Sequence, residues 1–302
     1  QQQAAEARGD AFVRVQGTRF VQNGKPFSVN GFNAYWLMNL GADRAQRGKV
    51  TLALSQAAGA VLSLARTWAF NDGNRSSALQ HSPGSYNEKT FQGLDFVLFE
   101  ARKYGIKMIL SLVNYYHDYG GRKQYVDWVK GQGQTKLSDD GFFTNPVVKG
   151  FYKNHIKAVL TRVNTITGVA YKDDPTIMAW ELMNEPRCKS DVTGHTIQSW
   201  ITEMAAHVKS IDGNHLLEAG LEGFYGLSPP ASRSSVNPSG QDKMGTDFIA
   251  NNQVPGIDFA TVHSYADRWL RDSDAQSQLR FLGTWLDAHI ADAQAVLRKP
   301  LL

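Results

Sequence analysis

Short apolar segments alternate with segments of helical period from residue 27 to the end of this 302-residue chain, and that rhythm constrains the fold more than any other feature. The apolar segments cover residues 27–33, 62–66, 106–113, 177–180, 215–219 and 257–263. Between them, Val50, Leu54, Ala57, Ala58 and Val61 recur at helical spacing, as do Phe91, Leu94, Leu98 and Ala101, a run that Gly105 terminates. Asn145-Pro146 caps a helix carrying Val148, Phe151, Tyr152, Val159 and Val163. Two more apolar faces run from Ile197 to Ile211 and from Leu279 to Leu297. Strands that alternate with helices imply a parallel sheet, and uniformly apolar strands suit one buried on both faces. The expected fold class is α/β, a (β/α)8 TIM barrel. Six β/α units can be counted, and Lys299-Pro300-Leu301-Leu302 reads as the start of a seventh strand, so the barrel is expected to be C-terminally incomplete. Phe12 to Phe27, with turn signals at Gln16-Gly17-Thr18 and Asn23-Gly24, reads as a β-hairpin that plugs or flanks it. The Gly/Pro/Ser-rich stretch 226–245 is a long loop. Residues 1–10 form a polar tail, and 11–302 a single domain.

Composition removes several function classes. The net charge of +4 comes from scattered basic residues, not from the stripe that a nucleic-acid binder requires. No run reaches the ~18 apolar residues of a membrane span. A single cysteine, Cys188, rules out an internal disulfide and a cysteine-based metal site. No His/Asp/Glu cluster has ligand spacing, so no metal is expected. The chain opens at Gln1 with a Gln/Ala tail, which reads as a processed N-terminus left by signal removal. The sequon Asn74-Arg75-Ser76 is compatible with that expectation of secretion. Monomer is the default expectation for its oligomeric state.

The chemistry concentrates at Trp180-Glu181-Leu182-Met183-Asn184-Glu185. An apolar strand rises out of Asp174-Pro175, and Pro186 forbids continuing the ladder, which leaves Asn184 and Glu185 at the strand's C-terminal end. Catalytic groups of such barrels cluster at that end. An acid there, beside an amide able to hold a substrate hydroxyl, is half of a glycosidase. Other strand ends carry Asn33, Tyr35 and Trp36; Arg66, Thr67 and Trp68; Asn114, Tyr115 and Tyr116; and His263, Ser264 and Tyr265. Aromatic rings stack on the apolar faces of sugars while Asn, Arg and His pair with hydroxyls, so this mixture suits a glycan cleft. Each residue also has a plainer reading. A tryptophan near a strand end often packs the core, Arg66 suits a buried ion pair, His263 a satisfied core histidine, and Glu185 a partner for Arg187. Glu218 and Glu222 are the next nearest acids. Glu181 can line the interior in an ion pair, and Asp258 sits at the wrong end of the barrel.

Taken together, Ala65-Arg66-Thr67-Trp68-Ala69-Phe70, the run from Trp180 to Pro186, Leu221-Glu222-Gly223-Phe224-Tyr225-Gly226 and His263-Ser264-Tyr265 resemble plant mannan endo-1,4-β-mannosidases, members of glycoside hydrolase family 5 in clan A. Asn30-Gly31-Phe32-Asn33-Ala34-Tyr35-Trp36 and Tyr86-Asn87-Glu88 to Asp95 belong to the same resemblance, which extends from Phe12 to Leu302. It implies cofactor-free, retaining endo-hydrolysis of the β-1,4 linkages of mannan, glucomannan and galactomannan in the plant cell wall. It implies Glu185 as general acid/base and Asn184 as the holder of the 2-hydroxyl. Arg66, His263 and Tyr265 would orient the nucleophile and the reacting sugar, and Trp68 and the residues near Trp36 would form sugar subsites. In the family the nucleophile is a Glu a few residues beyond a Lys-Pro-apolar-apolar start, and it has no counterpart within these 302 residues. A truncated gene model, an inactive mannan-binding relative, a pseudogene product and a β-1,4-glucanase are the alternative expectations.

Overall fold

The computed structural model describes residues 12–302; the polar tail expected over residues 1–10 lies outside them. Five parallel strands form the central sheet in the order β10-β9-β8-β5-β4: Gly31–Asn33 (β4), Leu64–Trp68 (β5), Lys107–Ser111 (β8), Ile177–Glu181 (β9) and Leu216–Glu218 (β10). Helices Arg47–Gly59, Glu88–Lys103, Pro146–Leu160 and His195–Ile211 cross between them and bury their apolar stripes against the outer face. Every side chain of β9 is buried, as a strand covered on both faces requires. The sixth apolar segment joins without a regular ladder. Its Asp258 N–H donates to Leu217 O at 2.8 Å and its His263 N–H to Glu222 O at 2.9 Å. On its other side Ala260 and Leu301 form an isolated parallel bridge, so the segment expected to start a seventh strand pairs with the sixth without itself forming a regular strand. The arrangement is an arc of a (β/α)8 barrel.

The helix ends follow local chemistry. The Asn145 side chain accepts from the N–H groups of Val147 (3.0 Å) and Val148 (3.2 Å), with Pro146 in the first turn, and Asn87 caps Glu88–Lys103 through Lys89 N. Each such cap is worth about 1 kcal/mol. Between Pro146–Leu160 and His195–Ile211, Tyr152 stacks on Trp200 at 5.6 Å, and the Tyr152 hydroxyl donates to Leu182 O. That bond ties the packing of two helices to the segment that carries Asn184 and Glu185.

Three details differ from the sequence reading. The expected N-terminal hairpin is a three-stranded antiparallel sheet, Arg14–Gln16 (β1), Arg19–Gln22 (β2) and Lys25–Pro26 (β3), because both turn signals are used. It does plug the barrel: Val13 and Phe20 pack on Leu64, Ile109, Met178 and Phe259 at the sheet's N-terminal end. A helix over Gly121–Gly131 and a β-ribbon, Gln80–Ser82 (β6) with Ser85–Tyr86 (β7), occupy stretches to which the sequence reading assigns no element. The expected loop at 226–245 is irregular apart from a short 3₁₀ turn at Ala231–Val236.

Candidate active site

A cleft opens at the C-terminal ends of the strands, and a second hollow adjoins it. The cleft, of about 500 Å³, is lined by Asn33, Tyr35, Arg66, Trp68, Asn184, Glu185, Val262, His263, Ser264 and Tyr265. The second hollow, of about 290 Å³, reaches into the barrel past Arg66, Glu181, Glu218 and Leu302. The cleft therefore gathers residues from four strand ends that are up to 232 positions apart in sequence, Asn33 to Tyr265.

Glu185 is placed by backbone as much as by side chain. Its N–H donates to Gly220 O at 3.0 Å, and it stands in the left-handed region at φ +56. The approach depends on Gly220, at φ +87, where an added Cβ would collide with Met183 O. One Glu185 oxygen, Oε2, lies 2.8 Å from His263 Nδ1. Arg187 makes its ion pair with Glu222 instead, in a two-pronged contact of 2.7 and 2.6 Å, which leaves Glu185 to His263 and the cleft.

Arg66 is both of the things its sequence position allows. Its Nε and Nη2 each bond Glu181 at 2.8 Å, so it is a buried ion pair. It also lines the cleft, where Nη2 donates to Asn184 Oδ1 at 2.6 Å and Nη1 to Asn33 Oδ1 at 3.2 Å. That contact fixes the Asn184 amide with its oxygen on Arg66 and its nitrogen donating 2.9 Å to Asn114 Oδ1. Asn114 is thus a buried support for Asn184 and does not line the cleft. Trp36 turns away as well: it precedes the helix Leu37–Ala42 and packs against the main core, while its neighbour Tyr35 faces out, 50% exposed. Trp68 does line the cleft, but only 9% of it is exposed, because Phe70 stacks on it at 4.8 Å.

The electrostatics assign charge around this frame. Burial works against the Arg66 charge, yet the Glu181 carboxylate outweighs it and holds the guanidinium's pKa above its ordinary value. Burial likewise opposes the Glu181 charge, and Arg66 reverses the balance, so Glu181 is held below the usual range. Glu218, buried beside Glu181 on the neighbouring strand, is pushed well above it by burial and by that carboxylate. Burial also raises Glu222, with the Glu185 charge adding and Arg187 opposing. It raises the Tyr265 phenol too, again with Glu185 adding, which keeps the hydroxyl protonated as a donor in the cleft. Asp258 is structural, as its position implied: it pairs with Lys209 at 2.7 Å and accepts the Leu217 N–H.

The sequence family described as GH family 5 β-mannosidase-like matches residues 10–271. Mannan endo-1,4-β-mannosidase 1 of Oryza sativa subsp. japonica is 73% identical over 294 residues, covering 97% of this chain and 68% of the rice protein. Mannan endo-1,4-β-mannosidase 7 of Arabidopsis thaliana is 64% identical, covering 96% of this chain and 67% of its own length. Among solved structures, the endo-1,4-β-mannanase of Rhizomucor miehei superposes with a TM-score of 0.81 at 35% identity, over 96% of this chain and 80% of that one. The endo-β-1,4-mannanase of Thermotoga petrophila also reaches 0.81, at 30% identity, over 92% of this chain and 60% of that one. With strand ends, cleft and sequence in agreement, the chain belongs to glycoside hydrolase family 5, in its β-mannosidase-like group.

Proposed function

We propose that this chain acts on the internal β-1,4-mannosidic linkages of mannan, glucomannan and galactomannan, with Glu185 as general acid/base in a retaining reaction. The observation that carries the reading is Glu185 in contact with His263 inside a cleft walled by the Arg66–Asn184 pair and by aromatic rings. Glu185 protonates the glycosidic oxygen as a carboxylate attacks the anomeric carbon, and then takes a proton from the water that releases the sugar. Asn184, its amide direction fixed by Arg66 and Asn114, offers a hydrogen bond to the adjacent hydroxyl. A polymeric wall substrate suits an extracellular protein, and Asn74 of the sequon is exposed; a deglycosidase shift of the plant-expressed chain tests that location.

Retention needs a second carboxylate about 5 Å from the first. Among the described residues, Glu181 and Glu222 are each locked on an arginine, and burial and the neighbouring Glu181 push the Glu218 carboxyl well above the usual range. That commitment favours a second reading, in which the 302-residue chain binds mannan without turning it over.

Glucomannan viscosity under the purified chain and its Glu185→Gln variant separates these readings. The enzymatic reading expects viscosity to fall with wild type, and the variant to be slower by roughly 10²–10⁴-fold. Equal rates in both would refute Glu185 as the acid. A folded wild type that binds glucomannan and leaves its viscosity constant establishes the binding reading instead.

A further inference from the structure

Beyond Trp68 the aromatic wall continues onto a residue that lies outside the cleft lining described above. The Tyr119 ring stands edge-on to Trp68 at 5.2 Å and 82°, and edge-on to Tyr35 at 5.7 Å and 86°. Tyr35 in turn lies 5.0 Å from Trp68 at 37°. Trp68 is backed by Phe70, so the corner presents the faces and edges of Tyr35 and Tyr119 to solvent over a rigid floor.

The backbone at Tyr119 is held in an unfavourable state. Its φ is +60, the left-handed region that costs a Cβ-bearing residue and not a glycine. Gly120 and Gly121 follow with positive φ. A Cβ at Gly120 would collide with Asp72 O and one at Gly121 with Tyr116 O. The Asp72 N–H donates to Tyr119 O at 2.8 Å, which ties this loop to the one after β5. A third glycine at position 119 would satisfy the same turn without strain. What the tyrosine adds is its ring against Tyr35 and Trp68.

We propose that Tyr119 is a substrate-binding residue: with Tyr35 and Trp68 it forms an aromatic corner that seats a hexose ring of the polysaccharide along the wall of the cleft. This rests on the polysaccharide reading above. The chemistry is that of a partly exposed aromatic pair, apolar toward the C–H face of a pyranose and with hydroxyls toward its rim. Continuity with the Glu185 cleft through Tyr35 and Trp68 selects a further unit of the same chain of sugars as the occupant.

Native electrophoresis of the 302-residue chain through gels cast with increasing soluble glucomannan, which yields a dissociation constant, tests the assignment. Tyr119→Ala and Tyr119→Gly are expected to weaken binding about tenfold, and Tyr119→Phe, which keeps the ring, to stay within about twofold of wild type. Because glycine relieves the strained φ, Tyr119→Gly is also expected to melt no lower than wild type. Wild-type affinity in both Tyr119→Ala and Tyr119→Gly would overturn the proposal. So would a Tyr119→Gly variant whose melting point falls together with its affinity, since the ring would then be structural. A folded wild type that runs unretarded would refute the polysaccharide reading itself, and this proposal with it.

Discussion

Replacing Glu218 by glutamine should make the protein more stable as the pH rises. Glu218 and Glu181 occupy opposed positions on neighbouring parallel strands, both are buried, and one guanidinium, that of Arg66, serves the pair. Only one of the two acids is stabilised as an anion there. Arg66 takes Glu181, with two bonds of 2.8 Å, and Glu218 keeps its proton. In the unfolded chain Glu218 releases that proton around its ordinary value of 4.5. Between 4.5 and the raised folded value, the unfolded state thus binds fewer protons than the folded one, and folding stability falls with pH. The slope for one proton is about 1.4 kcal/mol per pH unit. Other groups titrate too, but glutamine at 218 deletes this contribution alone and keeps a donor for Glu181. The stability of Glu218→Gln minus that of wild type should therefore grow by about 1.4 kcal/mol per unit above pH 5, until the folded pKa of Glu218 is passed.

Urea unfolding followed by tryptophan fluorescence at pH 5, 6 and 7 measures that difference directly. A difference that stays constant across the three would show that Glu218 is already ionised in the fold, and the charge assignment beneath the cleft would be wrong. The companion substitution Glu181→Gln carries a second consequence. With Glu181 neutral, Glu218 can ionise and take over Arg66, so the single change should cost less than the roughly 3–5 kcal/mol of a broken buried pair. Only the double variant, which strands the guanidinium, should reach that loss, and the two single effects should fail to add.

Two further stability changes test the frame around the site. Val61, 83% exposed, ends the helix Arg47–Gly59 at φ +60 with a β-branched side chain, so Val61→Gly should raise stability by about 1 kcal/mol, read as a higher melting temperature. Asp95 is buried and accepts from Arg162 Nη2 (2.7 Å), the Tyr171 hydroxyl (2.6 Å) and Thr165 N (3.1 Å), so Asp95→Ala should cost roughly 3–5 kcal/mol in urea unfolding, and a loss under 1 kcal/mol would refute its role as the hub of that network.

The barrel order was legible because it is written locally. Apolar runs of five residues and helical stripes each report their own element, and Asn184-Glu185-Pro186 carries both a strand end and an acid in three positions. The helix Gly121–Gly131 went unread: its buried stripe of Tyr125, Val126 and Val129 spans little more than one turn, too short a period to stand out in sequence. The contacts that make the site were not written locally. Glu185 meets His263 across 78 positions and Arg66 meets Glu181 across 115, and composition and periodicity do not pair residues so distant. Family resemblance brought Arg66 and His263 to the site, yet it did not separate Tyr35 from Trp36. One residue of chain direction sends the first into the cleft and the second into the core.

Strain distinguishes Tyr119 from Val61 only when the side chain is considered. Both are non-glycine residues at φ +60, and on backbone geometry alone neither says more than the other. Val61 projects into solvent at a helix end, where the turn would form as readily with glycine, and its side chain supplies nothing that offsets the cost. Tyr119 occupies the same backbone state with its ring set against two others at the rim of a polar cleft. Glu185, at φ +56, is the third case: the turn that strains it also aims its carboxylate at His263. A left-handed residue thus becomes an argument for function when relieving it would remove a group from a site, and an argument for stabilisation when relieving it would remove nothing.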